Sequence, residues 1–240
     1  MIQIFSKEFS SYLHSLIAYL VIGVFLTGMG LLIWVFPETS VLDYGYADLD
    51  TLFSMAPFVF IFLIPAITMK SFAEEKKLGT LELLLTKPVT DWDIVLGKFL
   101  ASFSLVMVAL LPTLMYYYSV SKLGNPMGNI DTASVVGSYV GLALLASIFC
   151  AIGMLTSTFS TNQIVSFLLA AFICFLFYTG FDSISPFAGG YALLIKQVGI
   201  LYHYEALSKG LIDSRNVIYA LSLTGFFLLV TKTVVSSRLW

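Results

Sequence analysis

The stretch that decides the fold covers residues 135–159 and reads VVGSYVGLALLASIFCAIGMLTSTF. It contains no Asp, Glu, Lys or Arg, and a helix of about 20 apolar residues is long enough to cross a bilayer. We therefore expect a membrane-spanning helix here. Gly137, Gly141 and Gly153 stand among alanines and serines, a pattern that allows close contact between helices. That contact could lie within one bundle or between two copies of the chain.

Five further apolar stretches flank this one, at about 16–36, 52–69, 99–120, 164–181 and 217–235. The last contains Lys232 near its end, where a long side chain can reach the membrane interface. Hydrophobic residues make up 59% of the 240 residues and charged residues only 11%, whereas a soluble domain carries about a quarter. The composition therefore predicts a polytopic membrane protein. The net charge of −2 gives no indication of nucleic-acid binding.

The loops between these stretches predict the orientation of the chain. Loop 37–51 has four acids and no Lys or Arg, whereas loop 70–98 has five lysines. By the positive-inside rule, loop 70–98 faces the cytoplasm and loop 37–51 faces outward. Alternation then places both termini in the cytoplasm, with eight Lys and Arg residues inside and four outside. The first residues lack the pattern of a signal peptide, so we expect none to be removed.

Two other segments are amphipathic rather than spanning. Residues 2–14 repeat apolar side chains at three- and four-residue steps, which is typical of a helix lying in the interface. Residues 182–216 are too polar to span fully and predict short helices that dip into the outer face. The prediction is one all-α integral membrane domain over residues 1–240. It has six transmembrane helices, an N-terminal interfacial helix, a cytoplasmic helix between helices two and three, and short re-entrant outer helices before helix six.

Several kinds of chemistry are missing from the sequence. There is no GxxxxGK[ST] phosphate-binding loop, no HExxH and no GxSxG. Cys150 and Cys174 lie in apolar runs, and His14 and His203 are isolated, so we expect no metal site. No carboxylate lies in the middle of a predicted span, which disfavours an ion-driven carrier. An intramembrane enzyme is disfavoured for the same lack of reactive groups.

The charge of this chain is concentrated in the cytoplasmic loop KSFAEEKKLGTLELLLTKPVTDWDIVLGKFL, residues 70–100. A helix is predicted over about 71–88, and Pro88 ends it because the preceding residue is forced out of the α region. Such a loop is suited to docking a soluble partner. It could also be a solvated interfacial helix without a special role.

The order of residues in this loop resembles the cytoplasmic signature of ABC-exporter permeases of the second type. The signature is an acidic pair, Gly-Thr-Leu-Glu, Leu-Leu, Pro and then Gly-Lys. Residues 203–223, HYEALSKGLIDSRNVIYALSL, are similar to the closing segment of permeases of gliding motility and of nitrous-oxide-reductase maturation. The residues that match the loop signature are Glu74, Glu75, Gly79, Thr80, Leu81, Glu82, Leu84, Leu85, Pro88, Gly97 and Lys98.

The resemblance implies which residues act. The loop helix would be the coupling helix, through which a cytoplasmic ATPase moves the spans. Gly97 and Lys98 would anchor the third span at the interface, where plain positive-inside anchoring is an alternative reading for Lys98. The ATPase-coupling residues would be Glu74, Glu75, Gly79, Thr80, Glu82 and Pro88.

The resemblance also implies the partners and the location. The chain would not be an enzyme and would hold no cofactor, because ATP and Mg²⁺ would bind to the separate ATPase. A second permease subunit, identical or related, would complete the transporter in a bacterial inner membrane. Export of a substrate or mechanical work in gliding and secretion machinery would follow. The alternatives are a permease of the nitrous-oxide-reductase maturation type and a membrane scaffold that transports nothing.

Overall fold

The computed structural model describes residues 1–44, 46–80 and 89–237, and within these ranges the chain is helical and has no strand. Short helical segments at Leu111–Thr113 (3₁₀), Leu176–Gly180 (π) and Ser185–Tyr191 (3₁₀, kinked at Gly189) join some of the longer helices. The α-helices are α1 (Ile2–Leu13), α2 (Leu16–Trp34), α3 (Val41–Tyr44), α4 (Asp50–Thr68), α5 (Ala73–Lys77), α6 (Asp91–Leu110), α7 (Leu114–Leu123), α8 (Thr132–Ser157), α9 (Gln163–Phe175), α10 (Phe181–Ile184), α11 (Ala192–Val198), α12 (Ile200–Leu207) and α13 (Ser214–Ser237).

The predicted all-helical membrane fold is confirmed. Across the described ranges, six helical stretches are long and apolar enough to cross a membrane. Pro57 and Pro65 lie inside α4, and Pro112 lies in the short turn between α6 and α7. The six stretches are Leu16–Trp34, Asp50–Lys77, Asp91–Leu123, Thr132–Ser157, Gln163–Val198 and Ser214–Ser237.

Polar caps set where the helices begin. The hydroxyl of Thr90 accepts from the backbone N–H of Asp93 at 3.2 Å, and the Asp93 carboxylate accepts from the N–H of Thr90 at 3.2 Å. This capping box starts α6 at Asp91, well before the apolar stretch predicted from residue 99. The side chains of Asp131 and Asn162 accept hydrogen bonds from backbone N–H groups at the starts of α8 and α9.

Helix α8 lies at the centre of the bundle and packs against α4, α6, α9, α12 and α13. Its glycines face inward, because a Cβ atom on Gly137 would lie 2.7 Å from the Cα of Gly210. A Cβ atom on Gly141 would lie 2.8 Å from the Cβ of Leu207, and one on Gly153 would overlap the side chain of Thr68. The small residues of α8 therefore serve packing within the chain, and these positions are not open to a second copy.

The segment between α11 and α13 folds back onto the bundle. The hydroxyl of Tyr204 donates to the carbonyl oxygen of Phe53 at 2.6 Å, joining α12 to α4. The imidazole of His203 stacks on the ring of Tyr219 with centroids 3.9 Å apart and hydrogen-bonds to the Asn216 side chain at 2.8 Å. These contacts fix α12 against the ends of α4, α8 and α13.

Apolar side chains cover the outside of the bundle on α2, α9 and α13. Leu16 and Tyr19 on α2, Ile164 and Phe172 on α9, and Ile218 on α13 are mostly exposed. In water such a surface would be unfavourable, whereas in a bilayer it meets lipid chains of similar polarity. The exposed apolar faces are thus those expected of membrane helices.

Candidate functional site

A buried lysine organises the end of the bundle where the predicted coupling residues lie. The side chain of Lys98, on the second turn of α6, is 1% exposed. Its ammonium nitrogen lies 3.1 Å from Glu8 Oε1 and 3.0 Å from Glu75 Oε1, and it donates to the carbonyl oxygen of Ser71 at 2.8 Å. All three N–H donors of the ammonium group therefore have acceptors. We call these four residues the Lys98 cluster.

The Lys98 cluster joins three separate parts of the chain. Glu8 is on α1, Glu75 is on α5 and Lys98 is on α6, and the ring of Phe72 lies 5.3 Å from the ammonium nitrogen. A buried charge is tolerated in a protein when it is paired and hydrogen-bonded. The cluster therefore holds α1 and α5 against α6 at one end of the bundle.

Helix α1 runs along α6 in a regular ladder of contacts. A Cβ atom on Gly97 would lie 3.0 Å from Ile4, so the absence of a side chain there lets α1 approach closely. One turn further, Glu8 meets Lys98, and the hydroxyl groups of Tyr12 and Ser102 lie 3.1 Å apart. Gly97 and Lys98 are therefore the surface on which α1 rests. The ammonium of Lys98 points at carboxylates of its own chain and not at the lipid, since its position on α6 faces α1 and α5.

The bundle covers only part of the apolar face of α1. Ile2 and Leu13 are exposed, and the stacked rings of Phe5 and Phe9 are half-buried. The residues that α1 turns toward α6 are instead Ile4, Glu8 and Tyr12. Such a helix presents its apolar side to lipid while polar groups attach it to the protein.

Helix α5 is short and is attached to the bundle through adjacent residues. Glu75 belongs to the Lys98 cluster, and the ammonium group of Lys76 donates to the carbonyl oxygen of Thr158 at the end of α8. After α5, Gly79 has φ +67, the left-handed region that glycine adopts most readily. The hydroxyl of Thr80 donates to the Glu75 carbonyl at 3.4 Å.

The predicted coupling residues are partly brought together. Glu74, Glu75, Thr80 and Lys98 line one cleft of about 390 Å³, together with Lys7, Glu8 and Lys70. Gly79 lies at the rim on the exposed turn, and Gly97 faces α1. Glu82 and Pro88, and the end of the helix predicted over 71–88, lie outside the described residues.

Glu8 and Ser71 are the members of the Lys98 cluster that sequence reasoning missed. Glu8 lies in the interfacial helix predicted over residues 2–14, and nothing local in the sequence pairs it with a residue 90 positions away. A signal did exist: Lys98 directly precedes an apolar stretch, and a lysine so placed needs an acidic partner if it is buried. Within the ranges 1–44, 46–80 and 89–237, no group of three or more His, Cys, Asp or Glu side chains is placed to hold a metal ion.

Comparison with known proteins agrees with this architecture. A family model described as ABC-2 family transporter protein matches residues 2–237. The chain belongs to the ABC-2 transporter family. As an ABC-2 permease it is a multi-pass membrane protein and the membrane subunit of an ABC transporter, a class that pairs with an ATPase subunit. No curated protein matches the chain.

Proposed function

We propose that this ABC-2 permease couples ATP hydrolysis by a separate cytoplasmic ATPase to export, or to mechanical work on the membrane. The observation that carries the proposal is the geometry of α5. The C-terminal end of α5 and the turn that follows it are exposed to solvent, with Leu78 67% exposed; the exposed residues are Lys77, Leu78, Gly79 and Thr80. Its near side is tied to α6 and α8. A partner that binds residues 77–80 and moves them would therefore displace two membrane helices, α6 and α8.

The cleft beside α5 offers this partner a polar contact as well. Glu75 Oε2 is buried and has no hydrogen-bond partner within the described ranges. Because an unpaired buried carboxylate oxygen is costly, a cationic side chain of the ATPase reaching into the cleft would be favoured there. An apolar anchor at Leu78 surrounded by polar contacts is typical of a protein interface.

The wider setting belongs to the same proposal. Residues 74–98 resemble the coupling signature, and residues 203–223 resemble the closing segment of the GldF-type permease of gliding motility. We therefore place the protein in a bacterial inner membrane with both termini cytoplasmic, working in gliding motility or secretion machinery. The resemblance to nitrous-oxide-reductase maturation permeases makes that role the alternative within the family. A second permease subunit, identical or related, would pack on the exposed apolar faces of α2 and α9.

Co-purification with the ATPase tests this function. Glu75→Lys would also break the Lys98 cluster, so it does not test the ATPase interface alone. Glu74→Lys is the more specific variant, because Glu74 lines the cleft without belonging to the cluster. We expect Glu74→Lys to weaken ATPase binding by about tenfold or more, because it reverses a charge at the interface. Asp43→Lys, at the opposite end of α4, is the control for charge reversal. Equal ATPase recovery with Glu74→Lys and Asp43→Lys would contradict the assignment.

A membrane scaffold without transport is a second candidate, and one observation favours it. The segment before α12 exposes large apolar side chains, with Phe187 90% exposed and Tyr191 71% exposed. Such a patch is suited to holding another component of a membrane machine. Proteoliposomes containing the permease and its ATPase separate the candidates. Substrate-stimulated ATP hydrolysis supports transport, and hydrolysis that no substrate changes supports the scaffold.

A further inference from the structure

Helix α8 makes specific polar contacts at both of its ends. It is 26 residues long, and most of its surface is buried between α4, α6, α9, α12 and α13. At 1.5 Å per residue it extends over roughly 39 Å. A packed helix of this length is a rigid element of the kind that can carry coupling between distant sites. The contacts at its ends therefore determine what it connects.

The first end of α8 is held by the predicted coupling segment. The ammonium group of Lys76 on α5 donates to the carbonyl oxygen of Thr158, the residue that follows the last turn of α8. Carbonyl groups at a helix C-terminus lack partners within the helix, and a cation there also interacts favourably with the helix dipole. Thr158 is fully buried and Lys76 is half-buried, so the acceptor of this contact is shielded from water. Glu75 ties α5 to α6, and its neighbour Lys76 ties α5 to α8.

The opposite end of α8 is held by the segment that follows α12. The hydroxyl of Ser134 donates to the carbonyl oxygen of Lys209 at 3.1 Å, and that of Ser138 donates to the carbonyl oxygen of Ser208 at 2.7 Å. Between them, Gly137 and Gly210 are so close that neither position has room for a Cβ atom. Gly210 has φ +77, which suits glycine and lets the backbone turn against the helix. Residues 208–210 therefore follow the first two turns of α8.

We infer that α8 transmits movement between α5 and residues 208–210, with Lys76 as the positioning residue that fixes the C-terminal end of α8 to α5. The inference rests on the proposed function, in which the ATPase displaces α5. Displacement of α5 is then delivered through Lys76 to α8, and through Ser134, Ser138 and Gly137 to the re-entrant segment on the far side. The coupling between the two ends is a free energy that both ends share, so it can be measured from either of them.

Two distances, measured between spin labels in the permease–ATPase complex, test this inference. One pair joins Lys77→Cys on α5 to Phe36→Cys beyond α2, and the other joins Leu211→Cys to the same reference position. Leu211 and Phe36 are 65% and 50% exposed, and the native Cys150 and Cys174 are buried, so labelling is selective. We expect ATP to change both distances in the otherwise unaltered chain.

Removing the ammonium group of Lys76 separates the two movements. In Lys76→Gln we expect the ATP-dependent change at Lys77→Cys to persist and the change at Leu211→Cys to be lost. Lys76→Arg keeps a cationic donor and is expected to restore the second change, which a purely structural role in folding would not require. Lys122→Gln removes an exposed lysine at the end of α7, outside the cleft, and should leave both changes intact.

The outcomes distinguish this inference from the proposed function. A chain that binds no ATPase, or in which ATP moves neither label, overturns the proposed function. The inference that α8 transmits movement is then overturned as well. If α5 moves but Leu211 does not in the otherwise unaltered chain, only the inference that α8 transmits movement is overturned. An unchanged movement of Leu211 in Lys76→Gln overturns it equally. A variant that fails to assemble is recognised by size-exclusion chromatography, and Lys76→Arg then decides: normal movement of Leu211 supports the inference and its loss contradicts it.

Discussion

Glu75 and Lys98 form an ion pair 3.0 Å long between α5 and α6, and the lysine side chain is almost wholly enclosed. The pair is shared, because Glu8 of α1 approaches the same ammonium group at 3.1 Å. Removing one member of a buried ion pair is far more costly than removing an exposed one, since the remaining charge loses its partner without regaining water. This asymmetry gives the first prediction.

Lys98→Met should destabilise the protein by about 3 kcal/mol, because it removes the buried cation between Glu8 and Glu75 and leaves them only the exposed Lys7 at 3.6 and 3.9 Å. Thermal unfolding in detergent measures the effect. Lys7→Met, at an exposed position, should cost little. The triple variant Glu8→Gln, Glu75→Gln and Lys98→Met removes every charge of the cluster and should recover part of the loss. Lys98→Met and Lys7→Met melting at one temperature would argue against a structural cluster.

Gly137→Ala should destabilise the bundle by about 1–3 kcal/mol, because the added methyl group overlaps the backbone of Gly210. Gly225→Ala on α13 is the matched control, since a Cβ atom there meets nothing within 4 Å. Comparison of the two melting temperatures measures the effect. A Gly137→Ala chain as stable as Gly225→Ala would mean that α8 and residues 208–210 are not in close contact.

The effect of a substitution at Gly79 on ATPase recovery should depend on which backbone conformation the new residue tolerates and not on the size of its side chain. The position has φ +67 and open space around it, so Asn, which tolerates this region, should preserve ATPase recovery. Val should reduce it, because a β-branched residue disfavours the left-handed region and would redirect residues 77–80. Co-purification of the ATPase with each variant measures the difference. Similar recovery with Asn and Val would show that the turn does not shape the interface.

Asp48 gives a prediction about pH. Burial, and then the nearby charge of Asp50, raise the pKa of Asp48 above its ordinary value. The folded state therefore binds more protons than the unfolded state between the ordinary pKa and the raised pKa, and stability falls as pH rises through that window. At neutral pH Asp48→Asn should melt at a higher temperature than the unaltered chain.

The same comparison at low pH is the control for Asp48. Below its ordinary pKa of about 3.9 the carboxyl group is protonated in both states, and the advantage of Asp48→Asn should vanish. Asp43→Asn, at an exposed position on α3, is the control for the loss of a surface carboxylate. An advantage of Asp48→Asn that stays constant from acid to neutral pH would contradict the assigned cause.

The sequence predicted the helical membrane fold well, because apolar stretches of spanning length leave few other structures available. It did not indicate that α6 begins at Asp91, eight residues before the apolar stretch predicted from residue 99, because a hydropathy pattern does not register the capping box of Thr90 and Asp93. It left the glycines of α8 open between internal packing and a second copy, since spacing alone does not say which helix lies opposite. Gly210, which meets Gly137, is distant in sequence and lies in a polar segment.

The candidate site was predicted in composition but not in arrangement. Glu74, Glu75, Thr80 and Lys98 do line one cleft, whereas the participation of Glu8 depends on how α1 packs against α6. Lys76 was predicted only as part of a charged run, because its partner is a backbone carbonyl. Carbonyl groups at helix ends carry no signature in the side-chain sequence, so contacts of this type become visible only in three dimensions.

The ladder between α1 and α6 has a consequence for how the chain is made. Lys98 is synthesised 90 residues after its partner Glu8. At about 5–20 residues per second, this delay is several seconds or more. During that interval α1 lacks its contacts with α6, and its apolar side chains Ile2, Phe5, Phe9 and Leu13 are of the kind that bind a membrane interface. We therefore expect α1 to bind the membrane surface through these side chains first, and to join the bundle once α6 is in place.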